Sequence, residues 1–322
     1  MKKRKLRDMT VSEVGMGCMA FSHGYGKIPP ETYSIEAIRN AYDHGCTFFD
    51  TAEIYSPNLS GIGHNERIVG KALHDVRQNV VLGTKLFLNH IESGWGRSVY
   101  KAVRRHLEGS MKRLQTDMVD LYYLHRTGSV PVEDVAEAMG RLTEEGLIRG
   151  WGLSQVDVDV IDRAHKVTPL TAIQNIYSMV ERDVENRVMP YCLENNIGMV
   201  PFSPIASGLL SGKIGAETKF ERQDDVRNWV PQLSRGNIAG NQPILDILKE
   251  YADRKGATSA QISLAWMLHK YPNVAPIPGS KNKERIVENL EASEVELTDE
   301  EFHSLEGALN QCRVYGHRGF SR

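Results

Sequence analysis

Short apolar, often β-branched runs alternate along the chain with stretches whose apolar residues recur at helical spacing, a unit of roughly 40 residues repeated about eight times. The runs Val14–Gly17, Thr47–Asp50, Val80–Thr84, Val119–His125, Ile148–Ser154, Ala172–Tyr177, Gly198–Phe202 and Val274–Ile277 predict strands. Helices are predicted over Ser34–His44, Asn65–Leu73, Val99–Leu114, Val132–Glu145, Val158–Lys166, Glu185–Asn195, Pro243–Lys255 and Lys283–Ala292. Ser259–Lys270 and Asp299–Leu309 add two helices outside the repeat. Several helix starts carry a capping side chain: Ser34 before Ile35, Asp157 before Val158, and Thr298 with Glu301 as a capping box.

This alternation makes a parallel sheet, because parallel neighbours need a long return crossover. No Pro-, Gly- or Ser-rich linker divides the chain. Residues 1–322 therefore read as a single α/β domain, one (β/α)8 TIM barrel with a short N-terminal hairpin at Leu6–Val11 and two additional helices. The longest irregular stretch, Ile205–Gln242, exceeds ordinary connections and reads as a functional loop or lid.

Composition narrows the function more than the fold. With 41% hydrophobic and 25% charged residues the chain is globular, not disordered or fibrous. Lys and Arg number 39 against 41 Asp and Glu, a formal charge of −2, so no basic excess is present to hold nucleic acid. Asp8, Ser12 and Glu13 interrupt any signal-like apolar segment after the basic start, and no apolar run of about 18 residues follows. The expectation is a cytoplasmic protein with neither membrane nor nucleic-acid partner, a monomer by default with oligomers left open. Cys18, Cys46, Cys192 and Cys312 lie far apart and read as reduced thiols, and no histidine has metal-ligand spacing, so no metal is expected.

In a parallel barrel the chemistry gathers where strands end and βα loops begin. Asp50 ends the second predicted strand, Tyr55 lies five residues further on, Lys85 ends the third and His125 the fourth. A phenol has a pKa of about 10. An ammonium about 4 Å away favours phenolate by about 4 kcal/mol at an effective dielectric near 20, roughly three pKa units. Tyr55 beside Lys85 is thus expected to donate a proton near neutral pH, with Asp50 holding Lys85 charged and His125 orienting a substrate oxygen. That chemistry suits a carbonyl oxygen gaining negative charge.

Several ordered motifs carry a resemblance: Gly15-Met16-Gly17-Cys18-Met19, Phe49-Asp50-Thr51-Ala52-Glu53-Ile54-Tyr55, Gly63-His64-Asn65-Glu66 with Gly70, Ala72 and Leu73, then Gly83-Thr84-Lys85 and Leu114–His125. From about Lys5 to Leu309 the chain resembles the aldo-keto reductases. The resemblance implies a barrel that binds a nicotinamide cofactor without a Rossmann domain, with Asp50, Tyr55, Lys85 and His125 as the catalytic set.

The same resemblance implies cofactor contacts from Gly17, Met19, Ser154, Gln155 and Gln174. It adds Phe202, which takes the place of the commoner Tyr or Trp as a stacking ring, and the loop residues Ser203, Pro204, Ile205, Ser207, Gly208 and Lys213. The last motif, Ile277–Asn289, brings Gly279, Ser280, Lys281, Arg285, Glu288 and Asn289 to a helix start, an anion site where Lys281 and Arg285 could clasp a 2′-phosphate. NADPH is therefore expected over NADH. By position, Met19, Phe21, Tyr25, Phe87 and Arg126 are expected to touch substrate, and Cys18 and His23 lie in the first βα loop beside the mouth. Trp266 reads as packing, and Cys312–Arg322 as a tail, a loop over the mouth or an oligomer contact.

The function implied is an NADPH-dependent oxidoreductase that reduces aldehydes or ketones, an NADP-dependent aldo/keto reductase acting on a small-molecule carbonyl substrate. The chain also resembles the channel β-subunit branch, so a nucleotide-binding redox sensor with little turnover is the alternative. Such a sensor is expected to bring a long partner-binding segment, whereas here the family motifs begin near Lys5. A lyase using Lys85 as a Schiff base is a third reading, disfavoured because Asp50 should keep that amine protonated.

Overall fold

The computed structural model describes residues 1–57, 61–89, 98–128, 130–220 and 225–318. Strands β1 (Lys3–Leu6) and β2 (Met9–Ser12) form an antiparallel hairpin, with Arg7 at a φ of 53° in its turn. Seven strands then form one parallel sheet in sequence order: β3 (Met16–Gly17), β4 (Phe48–Asp50), β5 (Val81–Leu86), β6 (Val119–Leu124), β7 (Ile148–Ser154), β8 (Ala172–Gln174) and β9 (Gly198–Met199). Strand order that follows the chain, with helical crossovers between neighbours, is the topology of a (β/α)8 barrel.

The eighth predicted strand, Val274–Ile277, pairs on both sides without being a regular strand. Ala275 N and Ile277 N donate to Met199 O and Pro201 O at 2.9 and 3.1 Å, and Gly15 N donates to Pro276 O at 2.9 Å. Pro276 and Pro278 have no N–H to return toward β3, so half of that ladder cannot form. Glycines make the closure possible: a Cβ on Gly17 would stand 2.8 Å from Ile277 O.

Strand periodicity decides what enters the barrel. Phe48, Val81, Leu121, Tyr123, Ala172, Val200, Ala275 and Ile277 form an inner cluster, sealed at the bottom by Leu6, Met9 and Val11 of the hairpin. Their neighbours Phe49, Leu82, Tyr122 and Ile173 belong to the outer cluster beneath the helices. With a period of two, inward positions continue from Phe48 to Asp50, from Val81 to Lys85, from Tyr123 to His125 and from Ala172 to Gln174. The alternation that fills the core thus delivers polar groups to its open end.

Outside lie α1 (Glu31–Asp43), α2 (His64–Leu73), α3 (Val99–Leu114), α4 (Val132–Glu144), α5 (Val158–Val167), α6 (Val188–Glu194), α7 (Arg235–Gly240), α8 (Gln242–Lys255), α9 (Ser259–Lys270), α10 (Lys283–Leu290) and α11 (Asp299–Gln311). Asp157 and Thr298 cap as expected, the latter with Glu301 in a full capping box, and Thr258 with Gln261 forms another. Ser34 does not cap: α1 begins a turn earlier, after Pro30, and the Ser34 hydroxyl is buried against Pro30 O. Helix α6 is shorter than the expected Glu185–Asn195, because Asp183–Glu185 forms a separate 3-10 turn. The stretch Ile205–Gln242 is largely structured, with 3-10 turns at Ala206–Ser211, Val226–Trp229 and Pro231–Leu233 before α7; residues 221–224 of it lie outside the described residues. Among the described residues no helix is long and apolar enough to cross a membrane.

Candidate active site

A cavity of about 830 Å³ opens at the C-terminal ends of the strands. Its floor holds the strand-end residues. Lys85 is fully buried, and its Nζ donates to Asp50 Oδ1, to Thr51 O at 2.7 Å and to Tyr55 Oη at 3.3 Å. Gln174 Nε2 donates to the other Asp50 oxygen at 2.8 Å. Asp50, Tyr55 and His125 line the cavity while Lys85 sits behind them. The Tyr55 and His125 rings meet edge to face, with centroids 5.8 Å apart.

The loop that carries Tyr55 is pinned at both of its backbone groups: Tyr55 N donates to Ala52 O at 3.2 Å, and Asn65 N donates to Tyr55 O at 3.1 Å. Thr51 Oγ1 donates to Asn65 Oδ1 at 2.6 Å, and Asn65 Nδ2 donates to Cys18 O at 2.9 Å. Below it, buried Glu53 accepts from Phe87 N at 2.7 Å and meets His106 Nδ1 at 2.8 Å. Glu66 accepts from Thr84 Oγ1 at 2.7 Å and from Arg113 Nε. The Gly63–Glu66 motif therefore fixes the tyrosine from behind and does not enter the cavity.

The electrostatics of the floor differ in one respect from the sequence expectation. Burial alone would lower the Lys85 ammonium, but Asp50 and Tyr55 outweigh it and hold its pKa above the ordinary value. Burial raises the Asp50 carboxyl, against the opposing pull of Lys85 and Gln174. Burial likewise pushes the Tyr55 hydroxyl up, more than Lys85 lowers it. The expected lowering of Tyr55 toward neutral pH is thus corrected: Lys85 is already paired with Asp50, whose own charge favours the phenol. Burial, with Lys85 and Arg126 nearby, keeps His125 well below its usual pKa, so its imidazole is neutral, and its Nδ1 is buried without a hydrogen bond.

The cavity runs from this floor toward the start of α10. Gly17, Met19, Ser154, Gln174, Phe202, Ser203, Pro204, Ile205, Ser207, Gly208, Lys213, Gly279, Ser280, Lys281, Arg285, Glu288 and Asn289 all line it. Gln155 does not: it lies beyond the turn at a φ of 58°, and its side-chain carbonyl accepts from Ile176 N at 3.2 Å. Ser203, Ala206 and Ser207 all have φ near +50°, and Gly208 stands at 100°, a concentration of left-handed backbone on one wall. Ser207 Oγ is buried there with no hydrogen-bond partner. Lys213 Nζ meets Glu288 Oε2 at 3.3 Å across the groove, and Lys281 Nζ donates to Tyr25 O and to Lys27 O at 2.7 Å. At the helix start, Asn282 Oδ1 accepts from Arg285 N at 2.8 Å and Ser280 Oγ accepts from Asn282 N at 3.2 Å, so part of the expected amide anion site is satisfied internally.

Of the expected substrate contacts, Met19, Tyr25, Phe87 and Arg126 line the cavity, as does His23. Phe21 does not: it is 0% exposed in the outer core cluster, and Cys18 is equally buried. Sequence reasoning missed Ile54 and Arg227, which also line the cavity, as does Arg318 of the segment expected as a tail, a loop over the mouth or an oligomer contact. No periodic signal marks these loop and tail positions. The tail residues described, up to Arg318, fold over the mouth, and residues 319–322 lie outside the described residues.

Comparison with known proteins agrees with this architecture. Residues 13–310 match the profile of the Aldo/keto reductase family. A glycerol dehydrogenase from Gluconobacter oxydans is similar in structure, with 26% identity over 96% of this chain and 95% of that one, at a TM-score of 0.83. An aldo-keto reductase from Bacillus halodurans shares 27% identity over the full length of both chains, TM-score 0.76. A Klebsiella pneumoniae aldo/keto reductase, crystallised with NADP and acetate, shares 28% identity over 98% of this chain and 99% of that one, TM-score 0.73.

Proposed function

This chain belongs to the aldo/keto reductase family, and we propose from that premise that it is an NADPH-dependent reductase of aldehydes or ketones. The observation that carries the reading is Tyr55 Oη on the cavity wall, 3.3 Å from the Nζ of a lysine buried against Asp50. Such a phenol holds a proton at neutral pH beside a fixed positive charge, the arrangement a general acid needs. A reduced nicotinamide, when bound, supplies hydride to the carbonyl carbon. The chain's own task is then to orient the carbonyl oxygen and protonate it from Tyr55. His125, neutral and lining the cavity, orients that oxygen with a ring N–H, and Lys85 favours the phenolate left after transfer.

The cavity suits the cofactor in shape and in chemistry. Ser207 supplies an unpartnered buried hydroxyl on a wall whose backbone turns left-handed at Ser207 and Gly208. Lys213, Lys281 and Arg285 supply cations at the far end for phosphates, which favours NADPH over NADH. Fluorescence titration with NADPH and NADH, followed by NADPH consumption over aldehydes, ketones and dicarbonyls, tests the reading. Tight NADPH binding with turnover supports it; tight binding without turnover on any carbonyl shifts the protein to a redox-sensing role.

A further inference from the structure

Two guanidiniums, those of Arg126 and Arg318, stand at the substrate end of the cavity. Arg126, exposed at the rim, donates from Nη1 to His125 O at 3.0 Å and to Ser154 Oγ at 3.4 Å. Arg318 donates from Nη1 to Ser203 Oγ at 3.3 Å. Among the described residues neither meets a carboxylate within ion-pair distance, and the positive charge of Arg318 is felt at Arg126. Arg227 on the same wall differs, because Asp225 neutralises it at 2.6 Å.

The position of Arg318 is constructed. Gly316 has a φ of 80°, and a Cβ on it would stand 2.6 Å from Pro231 O, so only glycine fits the turn. Asn241 Nδ2 and Oδ1 clasp Tyr315 O and Tyr315 N, both at 2.9 Å. His317 sits between two carboxylates, Glu181 at 2.8 Å and Asp183 at 2.9 Å. Buried Glu181 also accepts from Gln232 Nε2 and from the Arg318 backbone N–H. One buried carboxylate thus anchors both the 3-10 turn at Pro231–Leu233 and the tail, while the Arg318 side chain is left to the cavity.

We propose that Arg126 and Arg318 form an oxyanion clamp that selects carbonyl substrates carrying a carboxylate or phosphate group. The clamp rests on the reductase reading for its substrate and, for its specificity, on two guanidiniums that meet no carboxylate among the described residues. Planar forks bind such groups bidentately, whereas neutral aldehydes offer neither guanidinium an anionic partner. The cations at Lys213, Lys281 and Arg285 belong to the opposite end, so the two anion sites are separate in function.

The test compares succinic semialdehyde with butanal on the NADPH-loaded protein, for wild type, Arg126→Met, Arg318→Met and the corresponding Lys variants. Wild type is expected to favour the acid by about ten- to hundredfold in kcat/KM, each Met variant to erase most of that ratio, and each Lys variant to keep part of it. An equal rate on both aldehydes in wild type, or a ratio the Met variants leave unchanged, overturns the clamp. NADPH affinity is measured alongside, and a loss there as large as the loss on the acid assigns the guanidiniums to cofactor phosphate and overturns it equally. If neither aldehyde is reduced, the reductase reading fails separately. Calorimetric titration of the NADP+-loaded protein with succinate and succinamide then decides the clamp: selective succinate binding that both Met variants abolish upholds it, and equal or absent binding of the two overturns it.

Discussion

The floor and the rim of the same cavity are built in opposite ways. On the floor, Asp50, Lys85 and Gln174 sit on adjoining or facing strands, buried, with each charged atom tied to another strand residue. At the rim, Arg126, Arg285 and Arg318 sit on loops, a helix start and the tail, partly in solvent and held by backbone or hydroxyl oxygens where held at all. A strand-borne group is positioned by the pleat of the whole sheet, so its geometry is shared by every chain with this alternation. A loop-borne group is positioned by its own few contacts, and can change without disturbing the barrel. The floor therefore fits a common chemical step, and the rim the choice of what undergoes it.

Substitutions at the two levels should fail differently. Lys85→Met is expected to have the largest effect, because it removes the proton-tuning charge and also leaves Asp50 buried without a cation. Turnover should fall by about a hundred- to ten-thousandfold, and chemical denaturation should show a loss of about 3–5 kcal/mol. Adding Asp50→Asn should restore much of the stability and none of the turnover. A Lys85→Met protein that keeps its stability would mean that Asp50 is protonated in the native state.

At the rim the expected losses are smaller and confined to binding. Arg285→Ala should weaken NADPH by about tenfold or more, measured by fluorescence titration, while leaving NADH and the melting temperature nearly unchanged. Equal losses for both nucleotides would place Arg285 away from a 2′-phosphate.

The smallest effect expected is one of pH. Because burial holds the Tyr55 hydroxyl above its ordinary value near 10, its proton is present throughout the neutral and mildly alkaline range. The reductive kcat/KM should accordingly stay flat from about pH 7 to about pH 9, while alcohol oxidation, which needs the phenolate, keeps rising. A reductive rate that falls with an apparent pKa near 7 would show Lys85 prevailing over burial.

This contrast also explains what could be read in the sequence. Asp50, Lys85 and His125 were visible because a strand announces itself by apolar alternation and its last inward residue by position. The order of the strands followed from the repeat alone. The closing strand was visible in its apolar run, yet Pro276 and Pro278 broke its ladder in a way only the paired backbone reveals. Phe21 and Gln155 were misread because loop side chains obey no period: one turns into the core and the other back onto Ile176 N. The sequence leaves three alternatives for the segment of Arg318 for the same reason, its place depending on Glu181 far away in sequence. The Tyr55 pKa needed the third dimension too, since the sequence pairs it with Lys85 but does not weigh the burial of both.

The most direct test of the account is a single-turnover experiment on wild type and Tyr55→Phe, each saturated with NADPH and mixed with a reactive aldehyde, with NADPH affinity measured in parallel. The account expects rapid loss of nicotinamide absorbance and matching alcohol formation in wild type. In Tyr55→Phe it expects a rate lower by about a hundredfold or more at nearly unchanged NADPH affinity. A Tyr55→Phe protein that reduces the aldehyde at the wild-type rate would contradict it.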